Sequence, residues 1–512
     1  MTSGYVSEDV LDEKVVRIVY SLAAVGALDT PNTNSSDADV TSDAHRALAR
    51  KLAAESSVLL KNKGGLLPLD IRKLKGKAGA VAVVGLAGRD LPIFGGGGSG
   101  AVTPKAPVTI YAALAAKLGD GTGNSNQSCS VDDPDTDYFG GKGGSVEVVA
   151  VPATVSGCCA ACSSHTGAWK TFTFAPGAAC WCHPAAVTKV QGKPGFMSGS
   201  CGNAPSPYVS YANGNVVADA VAAAKQSEVT VVVLAQSSHE NADRDNITLA
   251  QSELVAAVAA VQPNVVVVTI TPGPFLTQFS ADAAAIVDMG FPGEQEGNGL
   301  VDVLFGDVNP AGKMPHTLPN VANEMRMTQR QYPGIPPANA SAACQDKPTA
   351  MLPSGLNPAG GTGFAPCEPT RAYYDEKLLV GYRWYDANSV APAFPFGHGL
   401  SYTTFAYTGL KASKTAVSVT VTNNGTVAGA EVVQLYLSFP AAAGEPPNQL
   451  KAFSKVGPLP AGGSATVELP LSDRSFSIWS VDSHAWTVVH GEFGVAVGSS
   501  SRDIRLGGLI VY

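Results

Sequence analysis

A dense polar cluster, SSHENADRD (237–245), directly follows the apolar run VTVVVLAQ. Carboxylates are the usual carriers of general acid–base chemistry, and Glu240 is the candidate that would project into a cleft. Asp243 or Asp245 would then pair with Arg244 and hold the loop. The alternative is an ordinary solvated loop with a surface ion pair.

Other catalytic and binding motifs are weak or missing. The glycine-rich segment GGGGSG (95–100) lacks the Lys-Ser/Thr ending of a phosphate-binding loop and the G-x-G-x-x-G entry to a helix. Its small residues predict a place where backbone passes close to backbone or to a ligand. No G-x-S-x-G elbow is present, which argues against a serine hydrolase. We expect no metal and no cofactor.

The nine cysteines are unevenly placed: seven fall between Cys129 and Cys201, and the other two are Cys344 and Cys367. Such clustering predicts disulfides formed in an oxidising compartment, and Cys344 with Cys367 could close a long connection. The alternative is a zinc site, for which the cluster offers Cys159, Cys162, Cys180, Cys182, His165 and His183.

Secretion is also indicated by five Asn-x-Ser/Thr sequons, at Asn34, Asn126, Asn246, Asn339 and Asn424. The first thirty residues show an amphipathic helix pattern, whereas a signal peptide has a basic segment followed by an apolar one. We therefore expect an extracellular or secretory-pathway protein whose start lies upstream of Met1.

The polar cluster is positioned by short apolar runs that alternate with helix-length segments. Continuous apolar runs are typical of strands buried on both faces, and helical spacing has a period of 3.6. The predicted strands are 80–86, 229–236, 265–271 and 284–290, and the predicted helices are 8–26, 42–62, 216–226, 249–262 and 297–306. This alternation predicts a parallel sheet between helices. Ligands bind beyond the carboxyl ends of such strands, where Glu240 lies.

Length and composition exclude several classes of protein. A chain of 512 residues predicts two to four domains. With 45% apolar and 15% charged residues it is not disordered, and a net charge of −8 argues against nucleic-acid or anionic membrane partners. No apolar run reaches 18 residues, so no membrane span is expected.

Period-2 alternation from about residue 405 predicts an antiparallel β-sandwich.

Several segments together resemble family 3 glycoside hydrolases, the β-glucosidases and β-xylosidases. The loop SSHENADR resembles the family's S-G-E-G-x-D-R, although His239 and Asn241 stand where the family has small glycines. Further matching signatures are ESSVLLKN (55–62), GGGGSGAVTP (95–104), the segment 291–319 and the segment 374–405. The tail resembles the family's fibronectin type III-like domain, and the cysteine-rich insert resembles a PAN/apple module.

The resemblance implies an α/β fold: a parallel-sheet α/β sandwich domain, an all-β fibronectin type III-like sandwich and a small disulfide-rich insert. The expected parts are the end of a barrel and a linker (1–40), the α/β domain (41–122 and 205–320), the insert (123–204), a long connection (321–404) and the β-sandwich (405–512). It also implies retaining hydrolysis of a β-glucoside or β-xyloside, with Glu240 as the general acid/base and Asp243 and Arg244 as support for its loop.

The family's nucleophile aspartate lies on an N-terminal (β/α)₈ barrel in a segment resembling G-F-x-x-S-D-W, which does not occur here. We therefore interpret the chain as the C-terminal half of a β-glycosidase, inactive alone, whose partners are a β-linked oligosaccharide and a missing or separate barrel. The alternative is a non-catalytic protein that uses the same domains to bind carbohydrate or protein.

Overall fold

The computed structural model describes residues 7–29, 40–101, 103–119, 130–134, 136–140, 146–147, 171–175, 179–183, 187–191, 197–200, 208–240, 244–332, 334–335 and 371–512. Residues 1–45 and 46–512 form two separate compact units. The first unit contains helix α1 (Glu8–Ala24), in which Glu13 and Arg17 form an i,i+4 ion pair of 2.5 Å. None of the helices in the described residues has the length and hydrophobicity of a membrane-spanning segment.

A six-stranded sheet forms the centre of the α/β domain. Its strands are β1 (Val58–Asn62), β2 (Val81–Val84), β10 (Val209–Ala212), β11 (Val229–Ala235), β12 (Val265–Ile270) and β13 (Ala285–Asp288). They are arranged in the order β1-β13-β12-β11-β2-β10, and all neighbours are parallel except the edge pair β1–β13. The predicted parallel α/β sheet is therefore confirmed, with one antiparallel edge added.

Helices cover both faces of this sheet. The helices after α1 are α2 (Asp43–Ser56), α3 (Ile71–Leu74), α4 (Ile110–Leu118), α5 (Val217–Lys225), α6 (Glu253–Ala259), α7 (Glu296–Leu304) and α8 (Tyr382–Ala387). Leu114 of α4 and Leu300 of α7 pack on one face with Val231, while Leu254 of α6 packs on the other face with Val232. Alternate residues of a strand point to opposite faces of the sheet. A strand that is covered on both faces therefore needs an apolar residue at every position, and the valine runs supply this.

The helix predicted over 42–62 is wrong at its C-terminal end. The helix ends at Ser56, and 58–62 forms the edge strand β1. Leu59 enters one core layer, whereas Val58 and Leu60 enter the other. An extended strand places successive side chains in the two core layers in turn. A helix would instead turn each successive side chain by about 100°, so it could not alternate them between two layers.

The insert contains two antiparallel sheets in its described backbone. The strands are β3 (Ser130–Pro134), β4 (Thr136–Gly140), β5 (Val146–Glu147), β6 (Thr171–Ala175), β7 (Ala179–His183), β8 (Val187–Gln191) and β9 (Met197–Ser200). Five form a sheet in the order β3-β9-β6-β7-β5, and β4 pairs with β8. The predicted disulfides, the zinc alternative and the Cys344–Cys367 closure lie outside the described residues and side chains.

The C-terminal domain is all-β, as predicted. Its strands are β14 (Phe405–Ala412), β15 (Ala416–Asn423), β16 (Gly429–Ser438), β17 (Gln449–Leu459), β18 (Ser464–Pro470), β19 (Ser477–Ser480), β20 (Ala485–Val488), β21 (Glu492–Gly498) and β22 (Ile504–Val511). Sheets β14-β15-β18 and β17-β16-β21-β22 share one core. The Asn-Gly and Gly-Gly turns carry the chain between these sheets, β15 to β16 and β17 to β18, and do not close hairpins.

The two domains are joined by the segment that follows the α/β domain. Leu400 pairs with Leu59 of the edge strand, and Phe394 pairs with Leu318. A buried ion pair of 2.9 Å links Lys313 to Glu431 of β16. The first two contacts join the connecting segment to the α/β domain, and the ion pair joins the α/β domain to the β-sandwich.

Candidate active site

Three loops meet at the carboxyl edge of the parallel sheet. They follow β2, β11 and β13, and main-chain hydrogen bonds join them. The N–H of Gly97 donates to the carbonyl of Ser238 at 2.9 Å, and the N–H of Gly293 donates to the carbonyl of Phe94 at 3.0 Å. Glu240 lies in the middle loop, at the position that the sheet topology favours for ligand chemistry.

Glu240 is held by a residue from the glycine-rich loop. The main-chain N–H of Ser99 donates to Glu240 Oε2 at 2.8 Å, and the Ser99 hydroxyl donates to the same oxygen at 2.5 Å. Both donors stabilise the ionised carboxylate, so they lower the pKa of Glu240, first through the hydroxyl and then through the N–H. Glu240 is exposed. The two hydrogen bonds to Oε2 fix the plane of the carboxylate and therefore also the position of its other oxygen, Oε1.

The glycines of the 95–100 segment make this approach possible. A Cβ on Gly97 would lie 1.7 Å from Nδ1 of His239, and a Cβ on Gly98 would lie 2.3 Å from Cβ of Glu240. Gly98 also has a φ of +69°, which favours glycine. The prediction that this segment allows close backbone approach is confirmed, and its neighbour is the loop of the candidate acid/base.

Arg244 braces the loop through neutral partners. Its Nη1 donates to Oε1 of Gln236 and to the carbonyl of Pro274, both at 3.0 Å, and not to the neighbouring Asp245. Among the described residues Arg244 forms no ion pair with Asp245, so the predicted pairing with Asp243 or Asp245 stays a prediction for Asp243. Asp243 and Asn241 lie outside the described residues. Burial lowers the pKa of Arg244.

Among the described residues, the hydrogen bonds to the Glu240 carboxylate come from Ser99. Ser99 and burial account for the shift in its pKa, and no described carboxylate contributes. Among the same residues, no three His, Cys, Asp or Glu side chains are grouped as metal ligands. Glu294 of the third loop accepts the main-chain N–H of Lys105 at 2.9 Å. Retaining hydrolysis of a glycoside needs two carboxylates, one that transfers the proton and one that forms the covalent intermediate. A single carboxylate can perform only one of these functions.

Family models match most of the chain. Residues 57–402 match the glycosyl hydrolase family 3 C-terminal domain, and residues 431–501 match a fibronectin type III-like domain. The chain belongs to glycosyl hydrolase family 3. The resemblance drawn from the sequence is confirmed for these two parts.

Curated family 3 relatives are longer than this chain. It is 31% identical to probable β-glucosidase L of Aspergillus fumigatus, with 99% of this chain and 59% of that protein covered. It is 30% identical to thermostable β-glucosidase B of Acetivibrio thermocellus, with 98% of this chain and 52% of that protein covered. The chain thus spans a little over half the length of these relatives.

Solved structures show the same fold. The β-D-glucoside glucohydrolase of Trichoderma reesei aligns with a TM-score of 0.67 at 24% identity, over 100% of this chain and 61% of that one. A β-glucosidase from Streptomyces venezuelae in complex with D-glucose aligns with a TM-score of 0.66 at 25% identity, over 100% of this chain and 65% of that one.

Ser99 is the site residue that sequence reasoning missed. It is separated from Glu240 by 141 positions, and no local pattern joins the two. The available signal was its place as the single hydroxyl in a glycine-rich segment that follows a parallel strand. A hydroxyl at such a strand end is positioned to contact groups on the neighbouring strand's loop.

Proposed function

We propose that this chain provides the acid/base half of a retaining β-glucosidase and that Glu240 is the general acid/base. The observation that carries the proposal is the double hydrogen bond from Ser99 to Oε2 of Glu240 where three strand-end loops meet. The naming of the relatives as β-glucosidases favours a β-glucoside over a β-xyloside. It also disfavours the non-catalytic carbohydrate- or protein-binding alternative.

In the first step a nucleophilic carboxylate attacks the anomeric carbon, and Glu240 protonates the departing glycosidic oxygen. Because both donors from Ser99 occupy Oε2, the proton is carried and delivered by Oε1. In the second step ionised Glu240 takes a proton from water, which attacks the anomeric carbon and releases the sugar. Ser99 stabilises the ionised form that this second step requires.

The nucleophile is proposed to come from a separate or preceding (β/α)₈ barrel, at about 5–5.5 Å from Glu240. A second carboxylate at that distance would raise the pKa of Glu240 and oppose the effect of Ser99. In this chain the hydrogen bonds from Ser99 therefore favour the ionised, basic form of Glu240. The nucleophilic carboxylate of the partner domain would favour the protonated, acidic form.

Two further proposals concern the rest of the chain. The cysteine-rich insert is proposed to be a disulfide-built PAN/apple-like module, on the strength of its cysteine spacing and the resemblance. The same cysteines and the sequons support an extracellular or secretory-pathway location. Asp243 is proposed to support the acid/base loop together with Arg244.

The test is hydrolysis of 4-nitrophenyl β-glucoside by the purified chain, alone and mixed with the portion of a β-glucosidase relative that this chain does not cover. We expect no turnover above background from the chain alone, turnover from the mixture, and loss of that turnover in Glu240→Ala. Turnover by the chain alone that Glu240→Ala abolishes would show that a nucleophile is present in this chain.

A further inference from the structure

A second candidate site is a cavity between the α/β domain and the β-sandwich. The cavity has a volume of about 600 Å³ and is lined by residues of 315–327, the start of helix α8, Phe396 and Leu450 of β17. Small-molecule sites usually have about 300–1,000 Å³ and often lie between domains. Its size and place are those of a ligand site.

The lining is mostly apolar and includes aromatic rings. Tyr382 and Phe396 stack with their centroids 4.7 Å apart, and Met325, Met327 and Val380 contribute further apolar surface. Stacked rings and methionines favour a ligand with a flat aromatic ring system. Offset aromatic stacking and sulfur–aromatic contacts would add to the free energy gained by burying its apolar surface.

Arg383 is the cation on the cavity wall. Its Nε is buried without a hydrogen-bond partner. Two carboxylates belong to the same region: Glu324 accepts from Tyr385 at 2.7 Å and from Asn320. Asp386 pairs with Arg502 at 2.9 Å through Oδ1, while its Oδ2 is also buried without a partner. A buried guanidinium nitrogen without an acceptor is costly, so an anionic ligand that supplies one would stabilise this wall.

Other charged and polar groups near Arg383 also favour an anionic ligand. Burial lowers the pKa of Lys451 to about 8, and the positive charge of Arg383 adds to this effect although Glu445 opposes it. His316 Nε2 and Thr317 Oγ1, from residues that also line the cavity, are likewise buried without partners. The cavity thus combines an unpaired guanidinium N–H and unpaired polar atoms with apolar surface.

We propose that this cavity binds a small aromatic carboxylate, with the ring system against Tyr382 and Phe396 and the carboxylate paired with the Arg383 guanidinium. A planar carboxylate matches the fork of N–H donors on an arginine better than a spherical anion does. The cavity adjoins the support of the acid/base loop, because Pro274 lines it and its carbonyl accepts from Arg244. The proposal concerns a binding equilibrium and does not rest on the glycosidase activity.

The test is calorimetric titration of the full chain with 2-naphthoate and with its neutral analogue 2-naphthalenemethanol. We expect one saturable naphthoate site, weakened about tenfold or more in Arg383→Met, since a charge-assisted hydrogen bond is lost. The neutral analogue should bind both proteins within about threefold of each other, because the apolar wall is kept.

Two further variants keep the result interpretable. Val380→Trp fills the cavity from a residue that is 52% exposed, so it should fold and weaken both probes. Arg330→Met is the matched control, because Arg330 pairs with Asp375 at 3.0 Å and does not line the cavity. Absence of saturable naphthoate binding, an equal loss of both probes in Arg383→Met, or binding that Val380→Trp leaves unchanged would overturn the proposal.

Discussion

Ser99 donates both its main-chain N–H and its hydroxyl to Oε2 of Glu240, across 141 positions of the chain. This pair joins the loop after β2 to the loop after β11. A carboxylate held by two donors is fixed in orientation and favoured in its ionised form. The proposed role of Glu240 as a base is therefore supported from within this chain, whereas its proposed role as an acid depends on what a nucleophile domain places beside it.

Ser99→Ala removes the hydroxyl donor and leaves the main-chain N–H. The pKa of Glu240 is lowered by that hydroxyl first, so the variant should have a higher Glu240 pKa than the parent. In the enzyme assembled with a nucleophile domain, the alkaline limb of kcat/KM should move to higher pH, because Glu240 stays protonated for longer. The measurement is a pH–rate profile with an aryl β-glucoside.

Ser238→Ala is the matched control for this change. Ser238 lies in the acid/base loop, and its contact with Gly97 uses the main-chain carbonyl, which the variant keeps. Its pH profile should overlay that of the parent. An unmoved alkaline limb in Ser99→Ala, with both limbs well resolved, would remove Ser99 from the control of Glu240.

Glu240→Ala in the assembled enzyme should reduce cleavage of glucosides with poor leaving groups by about 10²–10⁴-fold, because general acid catalysis is lost. Activated aryl glucosides need less protonation, so their glycosylation step should be less affected. Azide should restore deglycosylation, since it attacks the intermediate without a base. A uniform loss for all substrates together with unfolding by circular dichroism would assign Glu240 a structural role.

Gly97→Ala tests whether the glycine-rich loop must approach His239 closely. The new Cβ would lie 1.7 Å from the imidazole, so one of the loops must shift. A shift of about 1 Å near reacting groups can reduce turnover about 10²-fold. Gly97→Ala/His239→Ala should recover most of that loss, because the clash is removed.

Gly507→Ala is the control for a glycine substitution without a clash, since a Cβ there meets no atom closer than 3.7 Å. It should leave turnover unchanged. If Gly97→Ala is fully active, or if the double variant is no better than the single one, the close approach of the two loops has no catalytic importance.

Thiol titration tests the proposed disulfides. If the cysteine-rich insert and the Cys344–Cys367 pair are oxidised, secreted protein unfolded in guanidinium should show one free thiol, because four disulfides use eight of the nine cysteines. The control is the same protein after reduction, which should show all nine. Mostly free thiols together with bound zinc would favour the zinc alternative.

The sequence predicted the α/β sheet because Val229–Ala235 and Val265–Ile270 are continuous apolar runs, which are typical of doubly buried strands. Strand β1 was not predicted, since Val58–Asn62 continues the apolar spacing of the preceding helix and its antiparallel partner is distant in sequence. Glu240 was proposed from the sequence because it follows a strand and matches a family motif. The partners of Arg244 were not found, because local charge patterns cannot identify carbonyl and amide acceptors on other loops.

Glu296 gives a pH-dependent stability that the sequence does not indicate. It begins helix α7, is fully buried, and neither carboxylate oxygen has a partner among the described residues. Burial raises its pKa well above the usual 4.5. The native state therefore binds a proton that the unfolded state loses, so the free energy of unfolding falls by about 1.4 kcal/mol per pH unit above about pH 4.5.

Glu296→Gln should remove this dependence, because the amide resembles the protonated acid and does not titrate. We expect similar urea-unfolding free energies for parent and variant at pH 4.5 and a more stable variant at pH 7 and 8. The exposed Glu468→Gln should follow the parent at every pH. A variant with the same pH slope as the parent would show that Glu296 is ionised in the native protein.

Asp288 provides an internal comparison, since its pKa is raised by burial from 3.8 to about 6, against the donors Thr269 and Gly290. That shift of about two units is worth about 3 kcal/mol below pH 4, and this contribution is lost as the pH rises to about 6. Asp288→Asn should therefore change the pH dependence only below about pH 6, which the same urea unfolding measures. An unchanged slope between pH 4 and 6 in Asp288→Asn would show that the Asp288 carboxyl is ionised in the native protein in spite of its burial.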